Sequence, residues 1–552
     1  MKETNRYIYL LLFALAIAVN FSGIFTPFFS DDPGLYASIS KNLLHSHSFF
    51  ELITYNQDWL DKPHFPFWCV LLSFKLFGVS EWAYRLPALL FYLISVWYTY
   101  KFTKKFYTEE VAICAVLILS TALHLIISNT DVRAEPYLMA LIIGGIYHIS
   151  NLEIKFSWFS LFMAALFTAC AIMTKGIFVI VAIYGSLFGQ LLIQNKLRQL
   201  FNPKFIALYL LTILFVLPEI YALYMQFDLH PEKLVFGRHN VSGIKWFLWD
   251  SQFGRFVNSG PIIRKSGGSI FFFLHTLLWA FAPWGLLFYL ALSQQIKSLI
   301  TKIRLPAYYA LSGGLLFLVL FSVSGFQLPF YTNAVFPLFA IITAPVCLAQ
   351  LNQLSSKLRA VFQWVFIIVI PLLVLAVNYF LQPANNLFFI IGCIAFLGLI
   401  MLIYFTVSNV LSKTFMLTVS AALFLGFYLN LFFFKEVAKY NGQMAAANYA
   451  NLKPFEGFNI YSLNAENNMF QFYCHQPVQI LSVNDFKNAK TYSNSMIYVN
   501  QRSLNALKEQ DVHFKIIRSF LNYPQENILL KFINKATREQ VLDHVYLIYK
   551  TK

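Results

Sequence analysis

Apolar stretches long enough to cross a bilayer recur along the first 434 residues, broken by short polar segments. They fall near 7–25, 83–101, 110–128, 135–150, 157–173, 176–194, 204–222, 270–292, 305–323, 330–350, 361–381, 386–407 and 414–434. At roughly 18 residues or more, such runs read as membrane-spanning helices. The segment Phe65–Phe77 is apolar but too short to span, and with Trp68 and Lys75 it is expected to lie at the interface. Tyr7–Phe25 follows Lys2 and Arg6 with no small-residue cleavage site after it, which predicts a retained first span. From about residue 435 the pattern changes: the runs Phe458–Leu463, Val478–Val483, Met496–Val499, Phe514–Ile517 and Val545–Tyr549 read as strands. Helix-like stretches at Met444–Asn451 and Ser503–Gln510 alternate with them. The expected architecture is an all-α polytopic membrane domain over 1–434, with about 13 spans, followed by a small α/β domain over 435–552.

Composition supports the membrane reading. Of 552 residues, 58% are hydrophobic and 12% charged, with a mean hydropathy of +0.61, whereas soluble domains carry about 25% charged residues. A net charge of +16 could suggest nucleic acid, but the basic residues sit in small clusters between apolar runs, so nucleic-acid binding is set aside. With thirteen spans and an inside N-terminus, Lys101, Lys104, Lys105, Lys155, Lys196, Arg198, Lys204, Lys297, Lys302, Arg304, Lys357, Arg359 and Lys413 all fall on one side, as the positive-inside rule requires. The opposite side receives 26–82, 223–269 and the tail. Cys69, Cys114, Cys170, Cys347, Cys393 and Cys474 are scattered singly, which predicts neither a disulfide framework nor a CxxC metal pair.

Candidate chemistry gathers on that outer side. Asp31 and Asp32 follow the first span directly. Asp32 before Pro33 reads as a helix N-cap, with Leu35, Ile39 and Leu43 on one face, which would leave Asp31 outside the helix and free to face a cavity. The same loop holds Asp61, Lys62 and His64; the next adds Asp131, Arg133 and Glu135; Lys175 lies between two span ends; and 223–269 contributes His230, His239, Arg255, Arg264 and Lys265. Ionisable groups at membrane depth mark functional sites by default. A carboxylate can take a proton from an attacking hydroxyl, and lysine or arginine can hold a phosphate leaving group. Plainer readings stand beside these: Lys62 could snorkel to headgroups, Arg133 could simply pair with Asp131 or Glu135, and His64, His230 and His239 are more often hydrogen-bonding residues than ligands that would join Asp61 on a metal.

Three segments of the first outer loop then carry a specific resemblance: Ser30-Asp-Asp-Pro-Gly-Leu-Tyr-Ala37, Asp61-Lys-Pro-His-Phe-Pro-Phe-Trp68 and Phe74-Lys-Leu-Phe-Gly-Val-Ser-Glu-Trp-Ala-Tyr-Arg-Leu-Pro87. Thr174-Lys-Gly176, Phe272-Phe-Leu-His-Thr-Leu-Leu-Trp-Ala-Phe-Ala-Pro-Trp284 and Phe321-Ser-Val-Ser-Gly-Phe-Gln-Leu-Pro-Phe-Tyr331 follow in the same order. Together they resemble the superfamily of protein O-mannosyltransferases and lipid A aminoarabinose transferases, GT-C glycosyltransferases that use polyprenyl-phosphate sugars. The resemblance implies Asp31 as catalytic acid, with Asp32 its neighbour and Asp131 the second acidic position. It implies Lys62 as the lysine on the lipid phosphate. Arg255 and Lys175 are expected to help hold that phosphate, and Asp61, His64, Arg133, Gln327 and Tyr331 to contact substrate. Three positions depart from the pattern: Asp61 replaces the usual glutamate, Gln327 stands where many members have lysine, and Gln252 falls near a histidine that in some members helps bind a metal. No metal ligand is therefore assigned, and a divalent metal remains an open cofactor.

The expected function is transfer of a sugar from a polyprenyl-phosphate donor to a lipid, glycan or protein acceptor, at the outer face of the plasma (inner) membrane. The alternative is a transporter or flippase for a lipid-linked sugar, which would place polar groups near the midplane and commonly show internal repeats. No repeat is evident, and the acids cluster at one face.

Overall fold

The computed structural model describes residues 3–46, 48–264, 268–488, 494–523 and 528–550. Helices cover the apolar stretches read from the sequence, from Glu3–Phe21 to Val410–Tyr428, some of them as broken pairs. Among the described residues, seven helices are long and apolar enough to cross a membrane, and an eighth if Glu109–Thr121 and Leu123–Thr130, bent by 56°, count as one. The expected thirteen crossings are not established as thirteen by that measure, since several of the helices are shorter. Phe65–Phe77 is a 13-residue helix, about 20 Å long, too short to span.

Lipid-facing and core-facing helices are distinct. In Gln353–Leu381 and Asn386–Thr406 only 17% and 11% of the apolar window is buried by protein, against 78% in Glu135–Ile154 and 89% in Pro329–Leu348. Apolar residues that no protein covers are what a bilayer would cover. Caps punctuate the bundle: the side chains of Thr108, Asn202, Asn352 and Asn409 accept from backbone N–H groups at the starts of their helices.

Two ends of the bundle carry different polar contacts. At one end Lys105 donates to Ser150 and Asn151 at 2.9 and 2.8 Å, Lys204 to the Leu152 carbonyl at 2.6 Å, and Tyr309 to Glu153. These are loops with the basic clusters. At the other end the chain leaving the first helix meets the end of Leu123–Thr130. The buried Arg85 guanidinium fastens the two by donating to the carbonyls of Thr130 at 2.7 Å, Ile24 at 3.0 Å and Thr26. Three carbonyls on one buried charge give it the partners that burial demands.

The sheet domain sits at this second end. Its five strands, β3 (Asn459–Leu463), β4 (Val478–Leu481), β5 (Ser495–Asn500), β6 (Phe514–Asn522) and β7 (Asp543–Lys550), are ordered β4-β3-β5-β7-β6; β1 (Ile53–Thr54) and β2 (Gln57–Asp58) form a separate small hairpin. β3 pairs in parallel with β4 and β5, and β7 runs antiparallel to β5 and β6. One face packs on Ala446, Ala447, Ala450 and Phe470, the other on Phe486, Leu504 and Leu507. The sheet is thus covered on both sides, as parallel pairing requires.

Candidate active site

The acid helix, Asp31–His45, starts two residues before the expected position, with Ser30 in extended conformation as its N-cap. Asp32 is therefore not the cap and Asp31 is not outside the helix. Ser30 Oγ donates instead to Asp131 Oδ1, so the first turn is favoured by the charge of Asp31 and Asp32 beside its free N–H groups. Consecutive helical residues point about 100° apart, and the two carboxylates accordingly go to different neighbours. Asp32 Oδ2 meets Arg133 Nη1 at 2.6 Å. Asp31 turns to the sheet domain, where its Oδ2 accepts from Asn468 Nδ2 at 2.8 Å.

Asp31 takes part in no ion pair among the described residues. Burial raises its pKa; the Asn468 hydrogen bond acts the other way, Asp32 and Glu466 add to the rise, and Arg133 opposes it. A carboxyl held this way resists ionisation more than an ordinary aspartate, the condition wanted of a proton acceptor working near neutral pH.

Arg133 is a hub. Besides Asp32 it binds Asp131 Oδ2 through Nη2 at 3.2 Å and Nε at 3.3 Å, and its guanidinium stacks on Phe330 at 4.3 Å. Burial works against its charge, but Asp131 and Asp32 more than offset that and raise its pKa. Of the two partners the sequence offered, Arg133 takes Asp131; Glu135 belongs to Lys175. The Lys175 ammonium also lies 3.9 Å from the Tyr331 ring centroid.

Asp61 joins two further cations, Lys62 and Arg255. They face different spaces. Lys62, with Tyr36, Phe67, Arg133, Tyr137 and Thr174, lines one small cavity. Arg255, with Lys175, Gln252, Phe326 and Tyr331, lines a second. Asp61 and its two cations thus stand between them. Arg255 Nε is buried without an acceptor among the described residues, a costly state for a charged donor, and so a donor that an anion would satisfy. Within the first cavity burial pushes the Tyr36 phenol up to about 12, partly offset by Lys62.

Two expected contacts lie elsewhere. His64 is 1% exposed, and its backbone N–H and Nδ1 both meet the Glu219 carboxylate at 3.0 Å while Nε2 lies 3.0 Å from the Phe50 carbonyl. It bolts the Lys62 loop to the bundle rather than facing substrate. Gln327, 3% exposed, is spent on backbone: its amide donates to the Ser269, Phe321 and Ser322 carbonyls and accepts from the Ser269 N–H at 2.8 Å. Both are corrections, with one cause: each polar atom already has a protein partner. His230 and His239 pair locally with Glu232, Arg264 donates to the Gln327 carbonyl, and Lys265 lies outside the described residues. Among the described residues no group of three or more His, Cys, Asp or Glu is placed to hold a metal ion. Gln252 instead packs against Gly176, where a φ of +99° and the lack of a Cβ, which would lie 2.2 Å from the amide, both require glycine.

Sequence reasoning missed Asn468, Glu219, Tyr36 and Phe330. Asn468 is 437 residues from Asp31 in a six-residue helix, Asn468–Tyr473, too short to show a period. Tyr36 lay in the quoted motif, one helical turn after Asp32, which was the available signal.

Comparisons with known proteins bear on the fold. Residues 61–221 match the family model described as dolichyl-phosphate-mannose-protein mannosyltransferase. An uncharacterized protein of Aquifex aeolicus (strain VF5) is 25% identical over 356 residues, 64% of this chain and 66% of that one, so the match spans just under two thirds of that relative. The crystal structure of ArnT from Cupriavidus metallidurans bound to undecaprenyl phosphate superposes with a TM-score of 0.72 at 16% identity, covering 98% of this chain and 97% of that one. Its apo form gives 0.70 at 16% identity over the same shares.

Proposed function

For a membrane protein with the GT-C fold, we propose the activity of a glycosyltransferase that moves a sugar from a polyprenyl-phosphate donor to a hydroxyl or phosphate of a lipid, glycan or protein. Residues 1–434 form the catalytic membrane domain and 435–552 an extracytoplasmic domain, with the site at the outer face of the plasma (inner) membrane. The donor's phosphate meets Lys62 and Arg255 across Asp61, with Lys175 nearby. Arg133, Asp32 and Asp131 set the charge of the wall between the phosphate and the acceptor. An acceptor hydroxyl attacks the anomeric carbon, the bond from that carbon to the phosphate oxygen breaks, and the departing polyprenyl phosphate keeps the electron pair against the cations. Asp31 takes the hydroxyl proton.

One observation carries this reading: among the described residues, an acid without an ion pair lies at the same end of the bundle as a cation set in which Arg255 holds a buried, unpartnered N–H. The transporter alternative is not favoured by ionisable groups gathered at one end of the bundle. Binding of undecaprenyl phosphate to the full chain in nanodiscs, followed by native mass spectrometry, tests the donor half. One bound lipid is expected, held more weakly in Lys62→Ala and Arg255→Ala; no binding to the wild type at micromolar lipid would end the proposal.

A further inference from the structure

The sheet domain reaches the acid helix at several points. Ser38 Oγ donates to the Asn468 carbonyl at 3.0 Å, Tyr473 Oη accepts from the Phe28 N–H at 3.0 Å, and Lys41 donates to the Phe472 carbonyl at 3.1 Å and to that of Cys474. Gly34 permits the approach, since a Cβ there would stand 2.6 Å from Met469 Cγ and 3.2 Å from Met469 N. At the centre of the contact is a single polar meeting. Asn468, 4% exposed, directs its Nδ2 to Asp31 Oδ2, and its Oδ1 is buried with no donor among the described residues. The amide therefore gives up one hydrogen bond to present its N–H side to the carboxylate, the orientation that an ionised aspartate selects. Asn467 beside it turns inward instead, its amide donating to Ser462 and Ala465 inside the sheet domain.

We infer that the sheet domain is part of the active site, supplying Asn468 as the positioning residue that aims the Asp31 carboxylate. This rests on the proposed role of Asp31 as proton acceptor. The charged groups facing Asp31 are Asp32 on its own helix, Glu466 on the sheet domain and Arg133 on the loop after Thr130. Asn468 is the neutral donor among them. Its hydrogen bond favours the ionised carboxylate against burial and the two acids.

Dicyclohexylcarbodiimide, which labels protonated carboxyls, reads this without knowledge of the sugar. Full-length protein in nanodiscs is labelled across a pH series and the Asp31 peptide is quantified by mass spectrometry. In Asn468→Ala the labelling midpoint moves to higher pH than in the wild type, and in the isosteric Asn468→Asp it moves further, because a donor becomes a third acid. Asn467→Ala leaves it in place, which separates aiming from loss of the fold. Thermal unfolding confirms which variants are folded, and either Asn468 variant suffices. An unchanged midpoint in a folded Asn468 variant, or an equal shift in Asn467→Ala, overturns the inference. Failure of the functional reading looks different: undecaprenyl phosphate does not bind the wild type, whatever the Asp31 midpoint does.

Discussion

Asp61 and Asp31 are the same residue type at the same end of the bundle, and their surroundings are opposite. Asp61 sits between Lys62 and Arg255; Asp31 has a neutral amide and, nearby, two other acids. A carboxylate between cations is a counter-ion that holds them in register, ready to be relieved by a stronger anion. A carboxylate with no cation of its own keeps its affinity for a proton. The contrast teaches that an acid's chemistry here comes from what its neighbours neutralise.

The largest test of that contrast is a pair of isosteric changes. Asp31→Asn should lower turnover by about 10²–10⁴-fold, the usual worth of a general base, measured as release of undecaprenyl phosphate from a lipid-linked sugar that the wild type accepts. Asp61→Asn should do the reverse on the binding side, tightening undecaprenyl phosphate because two half-buried cations lose their counter-ion. If both changes act alike, the two acids do not differ as described. Arg255→Ala comes next: removing a charged donor worth about 1.5–3 kcal/mol should weaken lipid binding by about 10–100-fold in a titration of undecaprenyl phosphate.

A smaller effect is expected at Gln327. Gln327→Ala should lower stability by about 1–3 kcal/mol through unpaired backbone groups, read as a lower unfolding temperature, with undecaprenyl phosphate affinity unchanged. The gentlest probe is pH. Because burial raises the pKa of Asp31, turnover should fall in mild acid, at higher pH than an ordinary aspartate would cause. The stability sign is opposite: a raised folded pKa means the native state binds the proton more tightly, so this group adds stability as pH falls through that value. Activity should thus be lost while the unfolding temperature, to the extent Asp31 sets it, does not drop.

Much of the fold was legible because bilayer crossing demands apolar length, and the five strand runs of the tail were legible from their β-rich composition. The order β4-β3-β5-β7-β6 was not, since pairing is decided by contacts between distant runs. At the site, the acids and cations were visible as misplaced charges beside spans. Their orientation was hidden: the capping of the acid helix turned on Ser30 preferring Asp131, 101 residues away. His64 and Gln327 show the same limit from the other side. Each looked available in sequence, and each is saturated by a partner that sequence does not reveal, Glu219 in one case and the Ser269 loop in the other.

The seat of Met469 on bare Gly34 has a consequence for how this protein comes into being. In the acid helix, Asp31 is translated 437 residues before the Asn468 that meets it, and that asparagine follows all the apolar helices of 1–434. Met469 and Asn468 can reach Gly34 and Asp31 only after that length of chain has been made, so the surroundings of this carboxylate are completed late in synthesis.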